Sequence, residues 1–401
     1  MFSHKNSSSN SQLKQSQFEG VIALHQTGIA NLPLHHGRAP RWLVVRMQRL
    51  AKEVVTIIVN EYGLNEFLRR ISDPFWFQAF GCVLGYDWHS SGVTTVVTAV
   101  LKKAISPEDL GITVCGGKGK FSRQTLPEIE EAALTFGLST HETEMLKYAS
   151  KMSAKVDNAA IQAGYSLYHH AFFLTEGHTW AVVQQGMCGE DRTARRYHWL
   201  SDHVKSFVVE PHSAIVGDAE RENVLNMTAR ESEACRKASV DLAKEKPSRL
   251  MRTIPANIHD EQKTLSKWLP NGSPTNNGPL PLDSLSMPLH INWKTLERIY
   301  EFQPSNYEEL LGLKGVGPAT VRGLALVADL VYGQKPSWKD PVKYSFAYGG
   351  KDGVPHPVNR EAMDESILIL KHAVQESRIG DKEKLHSLQR LRWIIPQGID
   401  K

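Results

Sequence analysis

Apolar residues recur every three to four positions from Arg41 to Tyr62. Leu43, Met47, Leu50, Val54, Ile57 and Ile58 fall on one stripe, which predicts a long helix stopped at Gly63. The β-prone run at 111–115 (GITVC) leads into glycines and reads as a strand entering a turn. Helical spacing returns at 126–136, 151–162 and 223–244. Two apolar runs, 167–174 and 179–185, flank Glu176-Gly177 and predict a hairpin, and 207–209 reads as one more short strand. Residues 1–18 are too polar to pack a core and read as a disordered tail. Pro, Gly and Asn concentrate at 271–284, so a linker is expected over 256–286. The fold class expected is therefore α+β. A mixed domain occupies 19–255 and a helical region 287–401.

Composition changes this picture little. The chain has 401 residues, 41% apolar and 22% charged, with a net charge of +4. That excludes a collagen-like or mostly disordered chain, and it requires any nucleic-acid surface to be a local patch. Four cysteines stand far apart with no CxxC pair, which argues against a zinc ribbon. No apolar run is long enough to cross a bilayer, and the polar start lacks a secretory signal. The expectation is an intracellular, cytoplasmic protein with no membrane partner.

The sharpest local signal lies within 305–332. Leu313-Lys314-Gly315-Val316-Gly317-Pro318-Ala319-Thr320 separates two helical patterns and is similar to the helix-hairpin-helix motif of DNA-repair and recombination proteins. Glycines let the backbone turn tightly and approach another surface, and Pro318 suits the first position of the second helix. The free amides of that helix start can hold a phosphate, with Lys314 and Arg322 adding charge. The contact would grip backbone and read no bases. Glycosylases with this motif place a catalytic Asp in a loop beyond the hairpin. Here the nearest acid, Asp329, sits inside a helical pattern, and Ala319 and Thr320 stand where bifunctional members use a Lys. The packing alternative is a helix corner that only buries its apolar face.

Candidate chemistry lies upstream. Asp87 and His89 share a glycine-bounded loop with Ser90 and Ser91, and His35 and His36 precede the first helix. Lys118 and Lys120 alternate with glycines at 116–120, where amides can wrap an anion. Phe121 stands where a Walker loop needs Ser or Thr, so no nucleotide cofactor is expected. On a helix Lys151 and Lys155 would share a polar stripe while Asp157 points elsewhere. Lys155, if buried, could serve as a lyase nucleophile. His169 and His170, on a strand, must face opposite ways and cannot ligate one metal together. Asp87, His89 and Asp157, with one of those histidines, are the candidate ligands for Mg²⁺ or Mn²⁺. Arg195 and Arg196, among aromatics, suit phosphate and stacked bases, or else an amphipathic helix with its rings inward.

The strings LPLHHGRAPRWL, SDPFWFQAFGCVLGYDWHSSG, YASKMSAKVDNAAIQAGYSLYHHAFF, WAVVQQGM, ARRYHWL and KSFVVEPH, with YSFAYGGKDGVPHPVNR at 344–360, resemble the archaeal and bacterial family named domain of unknown function 763. The resemblance implies a prokaryotic protein and brings no activity with it. The function expected from the residues is DNA binding and DNA processing, first as a metal-dependent, structure-selective nuclease or repair enzyme. The alternatives are a non-catalytic DNA-binding adaptor, a glycosylase or lyase, and a protein that acts on RNA.

Overall fold

The computed structural model describes residues 41–86, 91–217, 220–249, 288, 292–342 and 360–392. The expected tail, the linker, Asp87, His89, the His35-His36 loop and most of 344–360 lie outside the described residues. The elements run α1 (Arg41–Tyr62), α2 (Leu64–Ser72), α3 (Pro74–Val83), α4 (Ser91–Ala104), the single turn α5 (Pro107–Leu110), β1 (Ile112–Lys118), α6 (Thr125–Thr135) and α7 (Thr140–Lys155). A π-helical turn (Val156–Ala160) leads to β2 (Ile161–Gln162), β3 (Ser166–Thr175), β4 (Trp180–Cys188), β5 (Thr193–Leu200), β6 (Ala214–Val216) and β7 (Leu225–Asn226). Then come α8 (Glu233–Ala243), α9 (Trp293–Phe302), α10 (Tyr307–Gly312), α11 (Pro318–Tyr332), α12 (Arg360–Glu376) and α13 (Asp381–Arg392).

A five-stranded antiparallel sheet, in the order β1-β3-β4-β5-β6, lies between two helical layers. Period-2 alternation divides its side chains. Val114, Ala171, Phe173, Ala181 and Val183 pack with α1–α4. Cys115, Phe172, Val182, Tyr197 and Trp199 pack with α6–α8 and with α9–α11. The last two helices return to the first layer, where Leu370, Val374 and Leu391 join the core of α1 and α3. The fold is α+β with a helical C-terminal stretch, as the periodicity predicts, and that stretch supplies helices to both layers. Among the described residues no helix is long and apolar enough to cross a membrane.

Four local expectations are corrected. The helix read over 151–162 begins at Thr140, behind a capping box made by Ser139 and Glu142, and gives way to the π turn after Lys155. Residues 161–162 pair with β7 instead of continuing it. The helix read over 223–244 starts only at Glu233, because Leu225 and Asn226 are held by β2 and Asn226 also bridges Ser337. No strand forms at 207–209; Phe207 instead stacks on Trp180, with ring centroids 6.1 Å apart.

Residues 193–200 are strand β5, so Arg195 and Arg196 point to opposite faces, and both are fully buried. Arg195 forms a two-pronged pair with Asp340 (2.8 and 2.7 Å), and both partners are sealed from solvent. Asp340 also accepts from the Arg221 amide at 2.8 Å, so one carboxylate pins the segment after α11 to the sheet. Removing one partner of such a pair strands a buried charge. Asp340→Ala should cost about 3 kcal/mol of unfolding free energy in a urea titration.

Candidate functional site

The turn between α10 and α11 is built from both ends. Asn306 caps α10 by accepting from the Glu309 amide at 2.9 Å, and Pro318 opens α11. Leu310, Leu311, Val316, Val321 and Leu324 are buried and anchor the corner. Glu308 docks α10 on α7 by accepting from the Tyr148 hydroxyl at 2.8 Å and the Phe207 amide at 3.2 Å. Between the helices the chain turns through Gly315 at φ +95, a left-handed conformation. A Cβ there would lie 2.7 Å from Thr295 Oγ1 and 2.8 Å from Arg298 Nη2, so the fold itself demands glycine at 315.

Gly317 is different. Its backbone is extended, at φ −135 and ψ −172, and a Cβ built on it meets nothing within 4 Å. Nothing inside the molecule asks for glycine at that position.

The body of the protein engages the carbonyl groups of this turn. Lys155 Nζ donates to the carbonyls of Leu313 (3.0 Å) and Val316, and Gln162 Nε2 donates to that of Pro318 at 2.9 Å. Among the described residues no backbone carbonyl accepts from the amides of Lys314, Gly315 or Gly317. The amides of Ala319 and Thr320 lie in the first turn of α11, where a helix offers no acceptor. Lys314, Gly315 and Pro318 are exposed. Arg298 is exposed beside the turn, a cation that no motif pointed to. Of the other expected contacts, the Val316 and Thr320 side chains are buried, Ala319 is half-buried, and Arg322 lies over the Trp338 ring at 5.5 Å.

The catalytic candidates occupy two polar clusters on opposite sheet faces. Asp157, fully buried on the π turn, receives the Trp199 indole N–H at 3.0 Å on Oδ2 together with Gln184 Nε2, and its Oδ1 pairs with His212 Nε2. Gln184 Oε1 accepts from His170 Nδ1 at 2.7 Å, which leaves His170 Nε2 to accept from the Ser150 hydroxyl at 2.9 Å. That arrangement fixes a neutral imidazole. On the other face His169 Nε2 meets Thr98 Oγ1 at 3.0 Å. The Thr98 hydroxyl already donates to the Thr94 carbonyl at 2.8 Å, so the proton between them comes from the ring. The two histidines do face opposite ways.

Burial holds His169 down to about 3, and it also lowers His170 against the pull of Gln184 and Asp157. Burial, with Arg196 nearby, pushes His198 well down.

These clusters are closed. Three donors occupy the oxygens of Asp157, and its neighbours Ser150, Gln184 and His212 are buried with it. A divalent ion would have to displace those donors, so Asp157 does not fit as a ligand. Among the described residues no group of three or more His, Cys, Asp or Glu side chains could hold a metal. Asp87 and His89 lie outside the described residues. Lys155 is half-buried, donates to two carbonyls of the turn, and is lowered from the ordinary lysine value by that burial. Arg195 and Arg196, sealed in the sheet, are likewise removed from the expected DNA contacts.

The glycine–lysine loop is also partly spoken for. The Gly116 amide donates to Glu128 at 2.6 Å, and Lys102 bridges the same carboxylate and the Gly116 carbonyl. The Glu128 carboxylate thus takes the first amide of that loop. Lys118 and Lys120 stay exposed, over the rings of Tyr168 and Phe121 at 5.7 and 5.6 Å, and Lys151 is exposed on α7. His212, Gln184 and Trp199 join Asp157 from 27 to 55 residues away.

A family model described as "Protein of unknown function (DUF763)" matches residues 28–358. No curated protein and no solved structure matches the chain.

Proposed function

We propose that this chain, which belongs to the DUF763 family, is a DNA-binding protein that holds a sugar–phosphate strand on the turn between α10 and α11. Gly317 carries the reading. A Cβ built there meets nothing inside the molecule within 4 Å, and the residue stands directly before the amides that open α11. A glycine that the fold does not need is explained by a surface pressed close from outside. The carbonyls of the turn are tied to Lys155 and Gln162, the amides are left over, and Lys314 and Arg298 stand beside them. That is the polarity a phosphate requires.

Binding comes first in this reading and catalysis second, because the described acid–base candidates are closed to solvent. The adaptor therefore moves ahead of the nuclease. A chain acting on DNA needs Asp87 and His89 to supply chemistry that Asp157 does not. Labelled single-stranded, duplex and branched DNA incubated with Mg²⁺ or Mn²⁺ separates the two: intact strands held in a complex mark an adaptor, and cut strands mark a nuclease.

The binding claim has its own test. Gly317→Val should lower DNA affinity about tenfold and leave the melting temperature unchanged, since the new side chain meets open space. Gly315→Val should instead disturb the turn itself, against Thr295 and Arg298. Normal affinity in a folded Gly317→Val protein would remove the hairpin from the argument.

A further inference from the structure

A second basic site stands apart from the hairpin, between the first and last helices. A cleft of about 880 Å³ opens between α1 and α13, within the several-hundred-Å³ range of ligand sites. Its floor is apolar, from Leu43, Leu50, Leu84 and Ile379. Its rim is cationic: Arg46 and Arg49 come from α1, and Lys382 and Arg390 from α13, against the single carboxylate of Glu383. Arg390 is committed to the wall, donating to the Val83 carbonyl at 2.8 Å and to Ser387 Oγ at 3.0 Å. Arg46, Arg49 and Lys382 are exposed, and no ion pair among the described residues engages them. With a net charge of only +4 on the whole chain, this is a local concentration of positive charge.

Trp42 adds a second kind of chemistry. It lines the same cleft, is 61% exposed, and carries the Arg46 guanidinium 5.5 Å from its ring centroid. Trp42, Arg46 and Arg49 stand four and three residues apart, so they share one face of α1, beside the stripe that buries Met47 and Val54. An exposed indole offers a flat apolar face on which a planar partner can stack. Phosphate alone would call for the cations and not for the ring, whereas an acidic peptide would not need a flat partner. A planar base joined to a phosphate uses both.

We propose that this cleft binds a nucleotide unit, its phosphate among Arg46, Arg49 and Lys382 and its base on Trp42. The same unit can come free or as part of a single strand. The site goes beyond the hairpin reading and does not depend on it.

Calorimetry on the full chain tests this with three probes: AMP, inorganic phosphate and a thymidine oligonucleotide. The oligonucleotide is measured in the Gly317→Val background, where the contribution of the turn is lowered about tenfold, and binding there counts for the cleft only where Arg46→Glu with Arg49→Glu weakens it. Saturable binding is expected for AMP or for the oligonucleotide, and whichever binds identifies the source. Arg46→Glu with Arg49→Glu should weaken it at least about tenfold. Trp42→Ala should erase the preference for AMP over phosphate. All three positions are exposed, and an unchanged melting temperature confirms that the variants fold. The proposal is overturned if neither nucleotide probe binds, if the double charge reversal leaves binding intact, or if phosphate binds as well as AMP. A hairpin that proves inactive, with Gly317→Val binding DNA normally, would leave the cleft result standing.

Discussion

Acidification from pH 7 to pH 5 should remove several kcal/mol of stability, through three buried histidines. His169, His170 and His198 are all held neutral in the fold, chiefly by burial, with His169 lowered to about 3. In the unfolded chain each titrates near its ordinary value of about 6.5. Above that value both states are neutral and the three groups contribute nothing to the pH dependence. Below it the unfolded state takes up protons that the native state refuses, so stability falls as pH falls. His169 contributes a slope of about 1.4 kcal/mol per pH unit from 6.5 down to about 3, and His170 and His198 add to it in the same direction. Urea titrations at pH 7, 6 and 5, followed by tryptophan fluorescence, measure it directly. His169→Gln should remove about 1.4 kcal/mol per pH unit of the slope. A stability that stays flat between pH 7 and pH 5 would mean that these rings are not held neutral.

The same residues mark how far the sequence could be read. The alternation of β3 is visible in the chain, so the opposite facing of His169 and His170 follows from strand periodicity alone. What each ring meets does not. Thr98 lies 71 residues from His169, and Ser150 lies 20 from His170. The amphipathic stripe of α1 is long enough to fix both its limits and its buried face. The turn between α10 and α11 is legible because glycine and proline constrain a backbone locally. The misreadings share one cause, which is a partner far along the chain. Adjacent Arg195 and Arg196 look like a surface until Asp340, 145 residues on, neutralises one and the ring of Phe77 covers the other at 4.7 Å. The amide of Gly116 looks available until Glu128 takes it. The helix read from 223 is lost in its first turns because β2 captures Leu225 and Asn226. A charged residue in an apolar setting reveals that a partner exists, and only the tertiary fold reveals which one. The glycine at 317 is the opposite case: the sequence supplies it, and the fold gives no internal reason for it.

Asp157→Ala should destabilise the protein by at least about 4 kcal/mol and should do so without any reference to catalysis. The carboxylate is the common acceptor for the Trp199 indole, the Gln184 amide and the His212 ring, all inside the second core. Alanine removes the acceptor and leaves those groups in an apolar setting, and each stranded buried donor costs about 1–3 kcal/mol. Gln184 then loses part of what orients it toward His170, so the loss spreads along the chain of contacts to Ser150 on α7. The π turn that presents Asp157 lies directly after Lys155, whose ammonium holds the hairpin carbonyls, so DNA affinity should fall in the same variant. Thermal unfolding with near-ultraviolet circular dichroism, which reports Trp199, checks the first effect. Asp157→Asn separates the possible causes, because its amide oxygen can still accept from Trp199 and Gln184 while its NH₂ faces His212. It should recover part of the stability lost in alanine. An open metal ligand would behave in the reverse way. Its alanine variant would fold normally, and its asparagine variant would lose activity as completely as alanine. A fully stable Asp157→Ala protein would therefore overturn the closed-network reading and return Asp157 to the list of catalytic groups.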